Sequence, residues 1–179
     1  TALYGGNLKN LAQDIKDYSD KTGKDTVSIA KEILVLLEAD SSIYDSIGEK
    51  NALLEKYCDE VGHIISGEKT EVKCDWLADK LTEMSNWITD HIRNTEWTSD
   101  KEGNSWFNGY YDNSGKAVEG DFESGVRMML TGQVFTVMSG VATDEQVAEI
   151  AKAADKYLYD EAIGGYRLNT DFKEVKQIW

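Results

Sequence analysis

Proline is absent from all 179 residues, where average usage of about 5% would place roughly nine. The strongest interrupter of helices is therefore missing along the whole length, and every break falls to Gly, Asn, Asp or Ser. Glycine is distributed unevenly: seven, at positions 103, 109, 115, 120, 125, 132 and 140, lie between residues 94 and 140. Such a chain is expected to be mainly helical on either side of one long irregular excursion.

Apolar spacing fills in the helices. Tyr4, Leu8, Leu11, Ile15 and Tyr18 recur at three and four and form one stripe. A second helix is predicted after Asp25, as N-cap, burying Ile29, Ile33, Leu36 and Leu37 before the Asp40, Ser41, Ser42 cluster. A third is predicted over 49–65 through Leu53, Leu54, Tyr57, Val61 and Ile65, ending near Gly67. The longest runs over 75–93 with Leu77, Leu81, Met84, Ile88 and Ile92 on one face, about 28 Å at ~1.5 Å per residue. Short connections make these antiparallel neighbours.

Residues 94–143 form the excursion, dense in aromatic and polar side chains: Trp97, Trp106, Phe107, Asn108, Tyr110, Tyr111, Asp112, Asn113. Asp112, Asn113, Ser114 and Gly115 read as a turn, which predicts a short hairpin between 106–111 and 116–118. Residues 126–138 are mostly apolar and predict a buried helix. Thr143 and Gln146 have capping-box spacing ahead of a stripe of Val147, Ile150, Ala151, Ala154 and Leu158. Gly164 and Gly165 are expected to end that helix, with 166–172 extended.

Charge excludes some partners. Asp plus Glu number 33 against 19 Lys plus Arg, a net charge of −14, which repels nucleic-acid backbones and anionic membranes. Cys58 and Cys74 are too few for a disulfide framework and are expected to be reduced thiols. No apolar run approaches the ~20 residues that span a bilayer, and no leader is visible, so the expected location is cytoplasmic. The chain opens at Thr1 inside a helical pattern and reads as an excerpt or a processed product.

The sequence holds no phosphate loop, dinucleotide fingerprint, serine elbow or His-Glu-x-x-His zinc pair. His63 and His91 have no ligand partner at metal spacing, so no metal site is expected. Asp75 and Asp79, four apart beside Trp76, read as solvated charges on a helix face. The excursion is the better candidate for chemistry. Saccharides are bound by flat aromatic faces with Asp, Asn, Glu and Arg on the hydroxyls, and Trp106, Tyr110, Tyr111, Asp112, Asn113, Lys116, Glu119, Asp121 and Arg167 are residues of those types. On residue types alone, a packed hairpin accounts for the same residues somewhat more simply than a sugar site.

Ordered strings at 91–97, 106–121, 131–135, 138–143 and 164–172 resemble the cellobiose phosphorylase group, glycoside hydrolase family 94. The longest runs from Trp106 through Asn108, Gly109, Tyr110, Tyr111, Asp112, Asn113, Ser114, Gly115 and Lys116 to Asp121, and it is the strings together that are specific. The resemblance implies that residues 1–179 are about half the helices of an (α/α)6 barrel, with 94–143 as a Gly- and aromatic-rich loop or short β-hairpin. It implies inverting phosphorolysis of a β-linked, cellobiose-like glucoside to α-glucose 1-phosphate. Inorganic phosphate is the co-substrate, and no cofactor is expected. By the same resemblance, Tyr111 and Lys116 fall where the family places acceptor-sugar contacts, and Asp112, Glu119, Gln133 and Arg167 are expected to line or support the cleft.

No residue here matches the family's general-acid Asp-Trp-Asn-Asp motif, which is expected just upstream of Thr1, with much of the phosphate site beyond Trp179. The expected partners are β-glucoside, phosphate, the remaining segments of the parent enzyme and a second copy of that parent. The chain alone is expected to be inactive, and to self-associate or be poorly soluble. The alternative is a non-enzymatic acidic helical module that binds a protein or a sugar.

Overall fold

The computed structural model describes residues 1–62 and 65–173. The reading of His63 lies outside the described residues. The fold is mixed but mostly helical, with six α-helices and four two-stranded antiparallel sheets among the described residues. It divides into two compact units, Asn7–Trp87 and Thr1–Gly6 with Ile88–Trp179. Two long helices, α1 (Ala2–Thr22) and α4 (Cys74–Thr95), contribute residues to both.

In the first unit, α1 buries Leu8, Ala12 and Ile15, whereas Leu11 is half exposed. The apolar stripe is thus rotated toward the small Ala12 and away from the Leu11 and Tyr18 edge. On α4 the predicted face is present: Leu77 and Leu81 are buried and Met84 partly so. Lys16 on α1 pairs with Asp79 on α4 at 3.5 Å, both side chains well exposed, while Asp75 is exposed.

The predicted second helix is a strand instead. β1 (Thr26–Ala30) pairs antiparallel with β2 (Lys69–Lys73), with Thr26 opposite Lys73 and Ala30 opposite Lys69. Thr26, Val27 and Ile29 are β-branched and favour an extended backbone. The partner strand lies about forty residues away, beyond the reach of helical periodicity. Only a 3₁₀ turn at Lys31–Ile33 and the four-residue α2 (Leu34–Leu37) remain helical there. α3 (Ile47–Val61) starts on the Ser46 side chain, which accepts the Glu49 N–H, and stops at Gly62, short of the predicted end.

In the second unit, β3 (Trp97–Ser99) pairs with β4 (Ser105–Phe107). Trp106 therefore bonds across to Thr98 rather than into the predicted hairpin. Alternation along β4 sends successive side chains to opposite faces. Phe107 joins Ala2, Ile92, Val141 and Ile150, and Trp106 joins Met128, Ala153, Ala154 and Leu158. Helix α6 (Asp144–Tyr157), which starts on the predicted Thr143/Gln146 capping box, supplies both clusters; Ala151 is exposed and Ala153 takes its expected place.

The predicted helix over 126–138 is half right. β5 (Gly120–Phe122) and β6 (Gly125–Arg127) form a tight hairpin, and α5 (Leu130–Met138) begins only after it. The turn at Asp112 to Gly115 is present, with a single bridge between Tyr111 and Ala117. Helix α6 ends at Tyr157, and Gly164 and Gly165 belong to the hairpin of β7 (Tyr159–Asp160) with β8 (Gly165–Tyr166). Beyond it the chain is extended, bridging Asn169 to Met129.

One close approach is sensitive to a single methyl group. A Cβ on Gly6 would lie 2.9 Å from the Ser139 carbonyl oxygen and 3.0 Å from its Cα. Backbone cannot swing aside as a side-chain tip can, so Gly6→Ala is expected to destabilise by about 1–3 kcal/mol despite alanine's better helix propensity. Urea denaturation checks this; a stabilised Gly6→Ala protein would show that the two segments are not in contact.

Candidate functional site

A cleft of about 480 Å³ opens within the second unit. One wall is the segment leaving β4, with Asn108, Gly109, Tyr110 and Tyr111, and the other is the first turns of α5, with Thr131, Gly132, Phe135 and Thr136. His91 and Ile92 on α4, Glu96 just after it, Phe107 on β4, and Thr1 and Ala2 complete the lining. The Tyr110 and Tyr111 rings are about half exposed, and Phe135 presents part of its ring.

Glu96 is the one carboxylate among the described lining residues. The Tyr111 hydroxyl donates to it, lying 2.9 and 2.8 Å from its two oxygens, and Asn108 Nδ2 donates to Oε2 at 2.9 Å. Burial, and then the Glu96 carboxylate that takes its hydrogen bond, push the Tyr111 phenol up from its usual value, so it remains a protonated donor near neutrality. The cleft thus offers two aromatic faces beside an oriented carboxylate acceptor, a combination suited to a polyhydroxylated ligand.

Behind the walls lies a buried polar brace. Glu119 is 2% exposed; its Oε1 accepts the Gly109 N–H at 2.7 Å and its Oε2 the Met129 N–H at 2.7 Å. Gln133, 1% exposed, acts as a peptide surrogate for β4: its Oε1 accepts the Phe107 N–H at 2.9 Å and its Nε2 donates to the Phe107 carbonyl at 2.8 Å.

Of the six residues that the resemblance singles out, only Tyr111 lines the cleft. Glu119 and Gln133 support it from behind. Asp112 Oδ1 is taken up by its own turn, accepting from the Ser114 N–H and hydroxyl and the Lys116 N–H. Lys116 extends its ammonium over the Phe122 ring at 5.7 Å. Arg167 is held on the β7–β8 hairpin by Asp160 at 2.7 Å. Among the wider sugar candidates, Tyr110 lines the cleft, and Asp121 accepts the Lys101 N–H. Trp106 is fully buried and presents no face to any ligand.

Sequence reasoning missed Glu96, Asn108 and His91 as lining residues. Glu96 and His91 sit inside the 91–97 string, but the signal that selects Glu96 is the Tyr111 hydroxyl, fifteen residues away, and only folding supplies it.

Among the described residues, no three or more His, Cys, Asp or Glu side chains are grouped to hold a metal, and no helix is long and apolar enough to cross a membrane. Cys58 and Cys74 are free thiols, the first exposed and the second buried. Compared with models of known protein families and with curated proteins, the chain gives no match.

Proposed function

We propose that this cleft binds a sugar and serves as the acceptor side of a glycoside phosphorylase catalytic domain, an (α/α)6 barrel of which this chain forms about half. The observation that carries the reading is the cleft's pairing of the half-exposed Tyr111 ring, 53% exposed, with the Glu96 carboxylate that its hydroxyl orients. The volume, about 480 Å³, falls within the ~300–1,000 Å³ of small-molecule sites. Sugar C–H groups stack on the aromatic faces while Glu96 and Asn108 take hydroxyl hydrogen bonds. In an inverting phosphorolysis, phosphate is already a nucleophile, so one protein carboxyl suffices as general acid. The resemblance implies that this acid and much of the phosphate site lie outside these residues, and the chain by itself is expected to bind without turning over.

The test is titration with glucose and with cellobiose, read by tryptophan fluorescence. Trp97 packs edge-on against Phe107 with ring centroids 4.7 Å apart, and Phe107 lines the cleft, so a reporter is built in. A saturable change is expected. Tyr111→Ala and Glu96→Gln are each expected to weaken binding about tenfold, ~1.4 kcal/mol, and Arg167→Ala is expected to leave affinity unchanged. No response to either sugar would favour the non-enzymatic module.

A further inference from the structure

Glu119 touches both walls of the cleft at once. Its Oε1 bonds the Gly109 N–H, in the wall that carries Tyr111, while its Oε2 bonds the Met129 N–H, immediately before α5, with Gln133 Nε2 at 3.5 Å. The walls meet directly over this carboxylate. A Cβ on Gly109 would come within 3.1 Å of Glu119 Oε1 and 3.6 Å of the Gly132 Cα, so both glycines are small where the chain must close on the brace. Each of these partners is a donor. An ionised carboxylate accepts fully at both oxygens, whereas protonation leaves one full acceptor and turns the other into a hydroxyl oxygen, a weaker acceptor for its N–H.

We propose that Glu119 is a positioning residue for the cleft: ionised, it fastens both walls, and on protonation it releases one of them, so that ligand affinity follows the protonation of a group the ligand never touches. This rests on the reading of the cleft as a sugar site.

The surroundings leave that switch to Glu119 itself. α5 carries no titratable side chain. The facing loop carries Tyr110, Tyr111, Asp112, held by its own turn, and Lys116, over the Phe122 ring, and Glu96 is reached through the Asn108 amide, whose Oδ1 accepts the Glu119 N–H. On the adjacent hairpin, Asp121 accepts the Lys101 N–H and Arg127 donates to Ser124 beneath the Phe122 ring. His91 lines the cleft from α4. Burial pushes the Glu119 carboxyl up to about 7 against the pull of its two backbone hydrogen bonds, placing the change near neutrality.

The experiment is an NMR titration of the ligand-free chain from pH 5 to 8.5, following the Glu119 side-chain carboxyl carbon and the backbone amides. Gly109 and Met129 amides are expected to shift with the same midpoint as the Glu119 carboxyl, with Thr131 and Gly132 following. Glu119→Gln abolishes those shifts, whereas shifts arising from His91 survive in that variant. Amides that stay flat, or that titrate with a midpoint different from the carboxyl, overturn the proposal, and the wild-type titration decides this even if Glu119→Gln does not fold.

Cellobiose affinity is then expected to fall at least fivefold from pH 8 to pH 6 in the wild type and to be flat in Glu119→Gln. An affinity that is flat in the wild type overturns the coupling to ligand. Absence of cellobiose and glucose binding at every pH overturns the sugar reading instead, and the amide titration still decides the brace.

Discussion

Trp106→Ala is expected to lower the free energy of unfolding by about 4 kcal/mol, the cost of emptying a large aromatic site in a packed core. The ring is fully buried among Met128, Ala153, Ala154 and Leu158, and meets the Tyr157 ring edge-on at 5.9 Å. Its indole Nε1 is buried without a hydrogen-bond partner, and an unsatisfied buried donor costs roughly 1–3 kcal/mol. Trp106→Phe removes that donor along with part of the apolar area, so the two changes offset and the loss is expected to stay below about 1.5 kcal/mol. Urea midpoints of the two variants check this. Equal losses would mean that the indole N–H is solvated after all. Sugar affinity at temperatures where both variants are folded is expected to be unchanged, because the ring is a core element and not a stacking platform.

Glu119→Ala is expected to cost about 3 kcal/mol at pH 6, since it removes the acceptor oxygen that the protonated carboxyl still offers between the buried Gly109 and Met129 amides and empties a buried site. The pH dependence has a definite sign. Glu119 is held up to about 7 in the folded chain, against 4.5 for an ordinary Glu, so the folded state binds this proton more tightly than the unfolded one. The stability it contributes is fully present below about 4.5 and declines as pH rises through about 7. The difference between wild type and Glu119→Ala should therefore shrink from pH 5 to pH 8, measured by denaturation at matched ionic strength. A difference that grows over that range would show a carboxyl held low instead.

Asp100 behaves in the opposite sense. Burial opposes its charge, but the Tyr157 hydroxyl, the Asn104 side chain and two backbone N–H groups hold its carboxyl far below the usual range. Its contribution is present above about 3.8 and is lost only as pH falls through more acidic values. Between pH 5 and 8 the Glu119 slope is therefore not masked by Asp100. Global stability favours protonated Glu119 while the cleft geometry favours the ionised form, and that opposition is a signature a purely structural carboxylate would not show.

The legible parts of the fold were those whose signal is local. α4 follows from a run of apolar residues at three and four, and the start of α6 from the Thr143 and Gln146 pair, because both depend on neighbours within one or two helical turns. The turn at Asp112 to Gly115 is local in the same way, held by the Asp112 side chain. At β1 the spacing of Ile29 and Ile33 also fits a helix, and what selects a strand is pairing with Thr70 and Val72 far along the chain. The same holds for β6, whose Val126 looks like the first residue of α5 until Asp121 pairs with it.

For the cleft, residue types were readable and directions were not. The excursion carries the right aromatics and carboxylates, but a sequence does not show which side chain of a strand faces inward. Trp106 went to the core, Tyr111 to the cleft, and Asp112 and Arg167 to local partners. By itself the sequence determined a proline-free, acidic, mostly helical chain with one glycine-rich aromatic segment, because these properties depend on composition and short-range spacing. Tertiary structure alone decided that Glu96 meets Tyr111 and that Glu119 is buried between Gly109 and Met129. Those contacts join segments fifteen and ten residues apart through irregular backbone, and no periodicity records where an irregular chain turns back.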